Sequence, residues 1–211
     1  MISYLFALLA MTTPISPEAQ DWIQKKNILE AHYLLTSSWI VRESSGSIPR
    51  PLSDVQACAL IGQMMHEADS QDLTNLDIKE YGRPHMGRGA LQFTDERRKG
   101  YDYHLADAKA KGYDPNSLVW QLQHLAQEYA GFYDEVGGGD LAYHTGIFHD
   151  PRYTSQQDPY QATLDMTDNY LRPARDASHY DRRYNNTMKC LGIVEQQRQQ
   201  LQNEQNVNSL I

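Results

Sequence analysis

Apolar positions recur at helical spacing along most of this chain, and each run is bounded by a capping residue or by glycine and proline. Ser16-Pro17-Glu18 reads as a helix start, followed by Trp22, Ile23, Ile28, Leu29, Leu35 and Trp39 on one face. After a polar loop, Ser44 to Pro51, the run Ser53-Asp54-Val55-Gln56 forms a capping box. The helix it opens carries Val55, Cys58, Ala59, Ile61 and Met65 and is small and apolar enough to be central and buried. Asp69 to Met86 reads as a loop with Gly82 and Pro84 as breakers and a short strand or turn. Thr94-Asp95-Glu96 starts a helix that ends near Gly112, and Asp114-Pro115 restarts one through Leu118, Leu122, Leu125, Ala126 and Tyr129. Gly137 to Gly139 is a hinge or tight turn. Asp158-Pro159 opens a helix through Ala162 and Met166 to Leu171, stopped by Pro173. The Gln- and Asn-rich end, Glu195 to Asn208, either prolongs a last helix from Tyr184 or frays. The fold class expected is mainly α: residues 1–52 a helical segment packed on the core, 53–192 the main domain, and 193–211 a tail.

Composition narrows the function. With 211 residues and a formal charge of −8, the chain lacks the basic surface that nucleic acid requires. The same charge means that binding to an anionic cell wall would not rest on bulk electrostatics. Tyrosines number 14 against 4 phenylalanines, which suits either sugar stacking at a wet cleft or half-buried helix surfaces. Met1 to Ala10 is apolar but lacks a basic start. It falls short of the ~20 residues of a membrane span, so it reads as a packed helix or strand, with a weak export signal second. Stable membrane insertion is not expected. Cys58 on an apolar helix behaves as a small hydrophobe, and free thiols are expected for it and Cys190.

The chemistry centres on Glu67, at the end of the apolar helix in Gln63-Met64-Met65-His66-Glu67-Ala68-Asp69. An acid anchored by a buried helix and edging a cleft can protonate a glycosidic oxygen. The alternative is a solvated helix-end residue. The loop Gly87-Arg88-Gly89-Ala90-Leu91-Gln92-Phe93-Thr94 follows twenty residues later. Its glycines admit close backbone approach to a sugar, and Gln92 offers an amide to an N-acetyl group or hydroxyl. Arg88 either meets a carboxylate of the wall or is a surface charge, and Thr94 either holds a water or caps a helix. An inverting enzyme needs a base ~6.5–9.5 Å from the acid. Asp69, Asp72, Asp77 and Glu80 are available, with Glu80, beside Tyr81, the first choice. His144 and His149-Asp150, with Tyr143 and Tyr153, form a polar cluster read as substrate rim or structure rather than metal. No metal or other cofactor is expected.

Ala59 to Asp69 resembles the first catalytic block of lysozyme-superfamily peptidoglycan hydrolases. Phage-tail-type lysozymes carry an apolar ILGNM..ES block and a G.G..QWT..R loop. The counterparts here are Gly87, Gly89, Gln92-Phe93-Thr94 and Arg97 or Arg98. Gln121 to Leu125 with Glu128 resembles that family's QLDFL..EL helix, and Ala162-Thr163 with Tyr170 to Pro173 its EAT...YERP segment. His66-Glu67 and Gly87 to Thr94 are also similar to the HE[ST] and GRG..Q.T motifs of family 19 chitinase-like hydrolases. Phe93 stands where tryptophan is expected and Ala68 where serine is. The resemblance implies a lysozyme-like domain, a central buried helix with a small loop and β-turn region lining the cleft. It also implies Glu67 as general acid, and some members of the superfamily work with one essential glutamate and no second acid; Glu80 and Thr94 are the further catalytic candidates from the residues themselves. His66, Tyr81, Arg88, Gln92, Phe93 and Tyr143 are the substrate-binding candidates. The expected activity is cleavage of peptidoglycan at the muramic acid–glucosamine linkage, in the periplasm or wall of a target bacterium. The alternatives are a chitinase-like hydrolase and a non-catalytic module of a virion or secretion system. A phage or interbacterial-toxin setting implies a delivery apparatus, an immunity protein or an inhibitor as further partners.

Overall fold

The computed structural model describes residues 16–37, 51–82, 86–129, 150–173 and 179–208. They form α1 (Pro17–Thr36), α2 (Asp54–Glu67), α3 (Asp95–Lys111), α4 (Leu118–Tyr129), the short α5 (Pro151–Thr154), α6 (Pro159–Asp165) and α7 (Tyr180–Asn208). The architecture is mainly α, as the periodicity predicts.

α2 is the hub. Ser53 and Gln56 make the reciprocal bonds of a capping box, and every residue from Gln56 to Met65 is buried. α7 runs antiparallel along it, with contacts turn by turn: Arg198 with Asp54, Cys190 with Cys58, Asn186 with Gly62 and Arg183 with Glu67. Cys58 and Cys190 are therefore disulfide-bonded, not free thiols. Each does sit in the apolar core, as a small hydrophobe would. Pairing depended on the register of a helix more than a hundred residues away, which local pattern does not contain.

α1 packs its Ile28, Ala31, Leu34 and Leu35 onto the core, but Trp22 on its first turns is 64% exposed, outside the apolar face expected for it. That end of α1 instead uses polar side chains: Gln20 bonds Asp72, Gln24 the carbonyl of Gln71, and Asn27 the carbonyl of Asp72 at 2.8 Å. Trp39, the glycine run 137–139 and residues 1–10 lie outside the described residues. α3 ends at Gly112 in the left-handed conformation. α4 starts at Leu118, later than Asp114-Pro115, because Asp114 is spent on a turn (Asn116 N to Asp114 Oδ1 2.9 Å) and Ser117 caps the helix (Trp120 N to Ser117 Oγ 3.2 Å). α6 opens at Asp158-Pro159 and widens to a π-helical stretch, Met166–Leu171. α7 starts at Tyr180, ahead of Tyr184, and continues unbroken through Glu195 to Asn208, largely exposed beyond Val194.

Candidate active site

The last turn of α2 brings Glu67 from the core to the surface. Its side chain is 17% exposed and its Oε1 lies 2.6 Å from a guanidinium nitrogen of Arg183, which is itself 1% exposed. The acid is thus seated against a buried cation rather than in a purely apolar pocket. Asp69, with φ of 45°, pairs with Arg182 at 2.5 Å. The His66 ring lies 5.3 Å from that of His179, and its Nδ1 is buried without a hydrogen-bond partner among the described residues. Burial first, then the charges of Arg183, Arg182 and His179, pushes the His66 pKa down to about 4, so the ring is neutral at neutral pH. The start of α7 therefore supplies His179, Arg182 and Arg183 to the end of α2. None of the three was singled out from sequence. A legible signal existed: Arg183, Asn186, Thr187, Cys190 and Val194 recur at helical spacing and form the buried stripe of α7.

Beside this helix end lies a groove of about 630 Å³ between α1 and the loop after α2. Amides, hydroxyls and carboxylates line it, among them Gln20, Gln24, Asp69, Asp72 and Asn75.

The glycine loop is a small antiparallel ribbon. Lys79 bridges Arg88 and Arg88 bridges Phe93, around a turn closed by Gln92 N to Gly89 O at 3.1 Å. Gly89 has φ of 84°, and a Cβ there would strike the Tyr101 ring. Both facts demand glycine. A Cβ on Gly87 would strike Gln92 and Glu80. Internal packing alone is thus enough to require glycine at Gly89, whereas at Gly87 the nearest atoms include the movable ends of Gln92 and Glu80. Arg88 makes a bidentate pair with Asp77 (2.7 and 2.6 Å), and Asp77 also accepts from the Tyr101 hydroxyl at 2.7 Å. Glu80 is exposed, with Oε2 accepting from Gly87 N at 3.1 Å, and Tyr81 is 85% exposed. Gln92 donates to the carbonyls of Ile78 and Gly89, while its Oε1 is buried with no partner among the described residues. Thr94 occupies the N-cap of α3, yet its exposed hydroxyl makes no capping bond. Phe93 is 1% exposed, packed against Tyr101 and edge-on to His124. Tyr153 is likewise buried, and Tyr143, His144 and His149 lie outside the described residues.

The remaining motif residues meet behind the ribbon. Arg97 forms a bidentate pair with Glu128 at 2.5 and 2.8 Å, and Tyr170 donates to the same carboxylate at 2.8 Å. Gln121 accepts from Ala90 N at 3.0 Å and donates to the Tyr101 hydroxyl and the Pro115 carbonyl. Residues scattered over the chain thus tie the ribbon, α3, α4 and the π-helical stretch together. Among the described residues no group of His, Cys, Asp and Glu is placed to hold a metal ion.

A central buried helix ending in an acid, a small ribbon packed on α3 and α4 and a surrounding helical shell are consistent with a lysozyme-like domain. The family model for phage tail lysozyme matches residues 48–192, and the chain belongs to that family. In general terms it is a lysozyme-like peptidoglycan hydrolase. Comparison with curated proteins and with solved structures gives no match. No helix among the described residues is long and apolar enough to cross a membrane.

Proposed function

We propose that the chain is a muramidase that cleaves the muramic acid–glucosamine linkage of peptidoglycan with Glu67 as general acid. One observation carries the reading. Glu67 is the residue at which the buried helix reaches the surface, its Oε1 fixed by Arg183, two residues before Asp69, where the lining of the groove begins. Arg183 holds Oε1, so Oε2 is the oxygen that delivers the proton to the leaving glycosidic oxygen. The amides, hydroxyls and carboxylates of the groove match the hydroxyl and N-acetyl groups of the glycan. Glu80 is the proposed base that activates water. It is exposed and oriented by Gly87 N–H, whereas Asp77 is consumed by Arg88 and Tyr101. His66, neutral and half-buried at the end of α2, and Gln92, half-buried on the ribbon, are the proposed hydrogen-bonding residues for the sugars. Tyr81 is the proposed stacking surface. The enzyme acts in the wall of a target bacterium, delivered by a phage or secretion apparatus.

Digestion of purified sacculi, followed by mass analysis of reducing and anhydro ends, tests this. Wild type is expected to release muropeptides with reducing ends. Glu67→Gln should release none, and because it leaves the buried Arg183 without its counter-charge it should also melt below wild type, so digestion is run at a temperature where circular dichroism shows it folded. Glu80→Gln should lower turnover without weakening sacculus binding. A Glu67→Gln protein that still solubilises sacculi sinks the assignment. Faster cutting of chitin oligomers than of sacculi would point to the chitinase-like alternative, and binding without release to a non-catalytic module.

A further inference from the structure

Arg183 is among the largest fully buried side chains of the described residues, and it is charged. Burying a guanidinium is expensive, and well-packed apolar residues of similar volume are often as stabilising. Its retention calls for a reason in its contacts. One nitrogen lies 2.6 Å from Glu67 Oε1 and the other donates to Gln63 Oε1 at 2.5 Å. Gln63, 0% exposed, is itself held from the far side. Its amide nitrogen donates to Thr167 Oγ1 at 3.1 Å and reaches the Thr163 carbonyl at 3.4 Å. Thr163 Oγ1 shares a hydrogen bond of 2.9 Å with Thr187 Oγ1, which donates to the Arg183 carbonyl at 3.1 Å. The circuit closes on itself. It joins α2, the passage from α6 into its π-helical stretch, and α7, and it reaches the carboxylate of Glu67 at the end of α2.

We infer that Arg183, held by Gln63, is a positioning residue that sets the direction of the Glu67 carboxyl group, which carries on Oε2 the proton it delivers to the leaving oxygen. The inference rests on the reading of Glu67 as the acid. A guanidinium is a planar fork whose two nitrogens diverge at a fixed angle. With one branch pinned to Gln63, the other allows Glu67 Oε1 a single site, and Oε2 is aimed as a consequence. An ammonium supplies the charge without the fork and cannot serve both oxygens in that geometry. A carboxylate released from this hold would rotate about its side-chain torsions. Misplacement of about 1 Å in a reacting group is enough to reduce turnover by roughly a hundredfold.

The test is steady-state kinetics on soluble glycan strands with the full chain, alongside circular dichroism to establish folding. Arg183→Met is expected to lower kcat by on the order of a hundredfold with KM within about threefold of wild type. Arg183→Lys should recover part of that loss, and a packing role alone would not produce a charge-dependent rescue in kcat. Gln63→Met keeps the ion pair but removes its anchor, and should lower kcat by about tenfold at unchanged KM. If Arg183→Met does not fold, Gln63→Met decides. A folded Arg183→Met, or failing that a Gln63→Met, with wild-type kcat overturns the inference. Glu67→Gln is run in parallel. If it is inactive while the Arg183 and Gln63 variants turn over normally, only the positioning role fails. If Glu67→Gln is itself active, the assignment of the acid fails with it.

Discussion

His104 shows how a single side chain ties stability to pH. Its ring stacks on Trp120 at 4.6 Å, and its Nδ1 lies 3.3 Å from Nδ1 of His124. Burial pushes the His104 pKa down to about 4, and burial together with the nearby charges of His104 and Arg97 also lowers that of His124. A histidine whose folded pKa is depressed binds its proton more readily in the unfolded chain. Its contribution is therefore complete above the unfolded value of ~6.5 and is lost as pH falls from there toward the folded value. Asp54 and Asp72, whose pKa values are lowered, act in a separate window, below the ordinary carboxylate range. Between pH 7 and pH 5 the histidines therefore set the slope. Urea unfolding should show a loss of roughly 2 kcal/mol or more over that interval, about one pKa unit being worth 1.4 kcal/mol. His104→Gln, which keeps hydrogen-bonding groups but does not titrate, should flatten the curve. An unchanged slope in that variant would exclude His104 as a source.

Among elements, the contact of α2 with α7 decides the shape of the site, and Gly62 decides that contact. A Cβ at Gly62 would lie 2.7 Å from Thr187 Oγ1 and 2.9 Å from the backbone nitrogen of Thr187. The hydroxyl can rotate away, whereas the backbone cannot. In an exposed helix Gly→Ala gains up to ~1 kcal/mol. Here the helices must separate, and overpacking of this kind costs about 1–3 kcal/mol, so the clash wins. Gly62→Ala is expected to lower the thermal midpoint and, by moving Arg183, to lower kcat even at temperatures where the protein is fully folded. A stabilised or fully active Gly62→Ala would show that α7 yields freely. This interface also marks the limit of what the chain reveals by itself. The Ser53–Gln56 capping box and the Gly112 stop were legible because each is settled within a few neighbouring residues. The motif residues Arg97, Gln121, Glu128 and Tyr170 were legible as a set, but their bonds to one another across three elements were not. The fold class followed from periodicity, whereas Arg183 beside Glu67 and the burial of Phe93 arise from tertiary register. No local spacing encodes that register.

For the whole molecule the Cys58–Cys190 disulfide is a long-range covalent constraint, with a sequence separation of 132. Nearly everything described as the site lies inside that loop: the end of α2, the ribbon, α3, α4, α6 and the first turns of α7. In the chain-entropy account, closing a loop of this length removes freedom from the unfolded chain equivalent to ~5 kcal/mol, an upper figure against the ~2–4 kcal/mol typical of disulfides. Both sulfurs are buried in the core, so the bond also fixes α7 along α2 about one turn from the Gly62 contact. A bond of this kind persists in oxidising surroundings such as the periplasm, where peptidoglycan is found, and not in a reducing cytoplasm. The double variant Cys58→Ala/Cys190→Ala should therefore lose about 2–4 kcal/mol in urea unfolding. Reductant should destabilise wild type by a similar amount, acting slowly because the sulfurs are shielded, and should leave the double variant unaffected. Sacculus digestion by the double variant should persist at low temperature, where the helix packing suffices, and fail at a lower temperature than wild type. Equal unfolding midpoints for wild type and the double variant under non-reducing conditions would show that the helices, and not the covalent bond, hold the site closed.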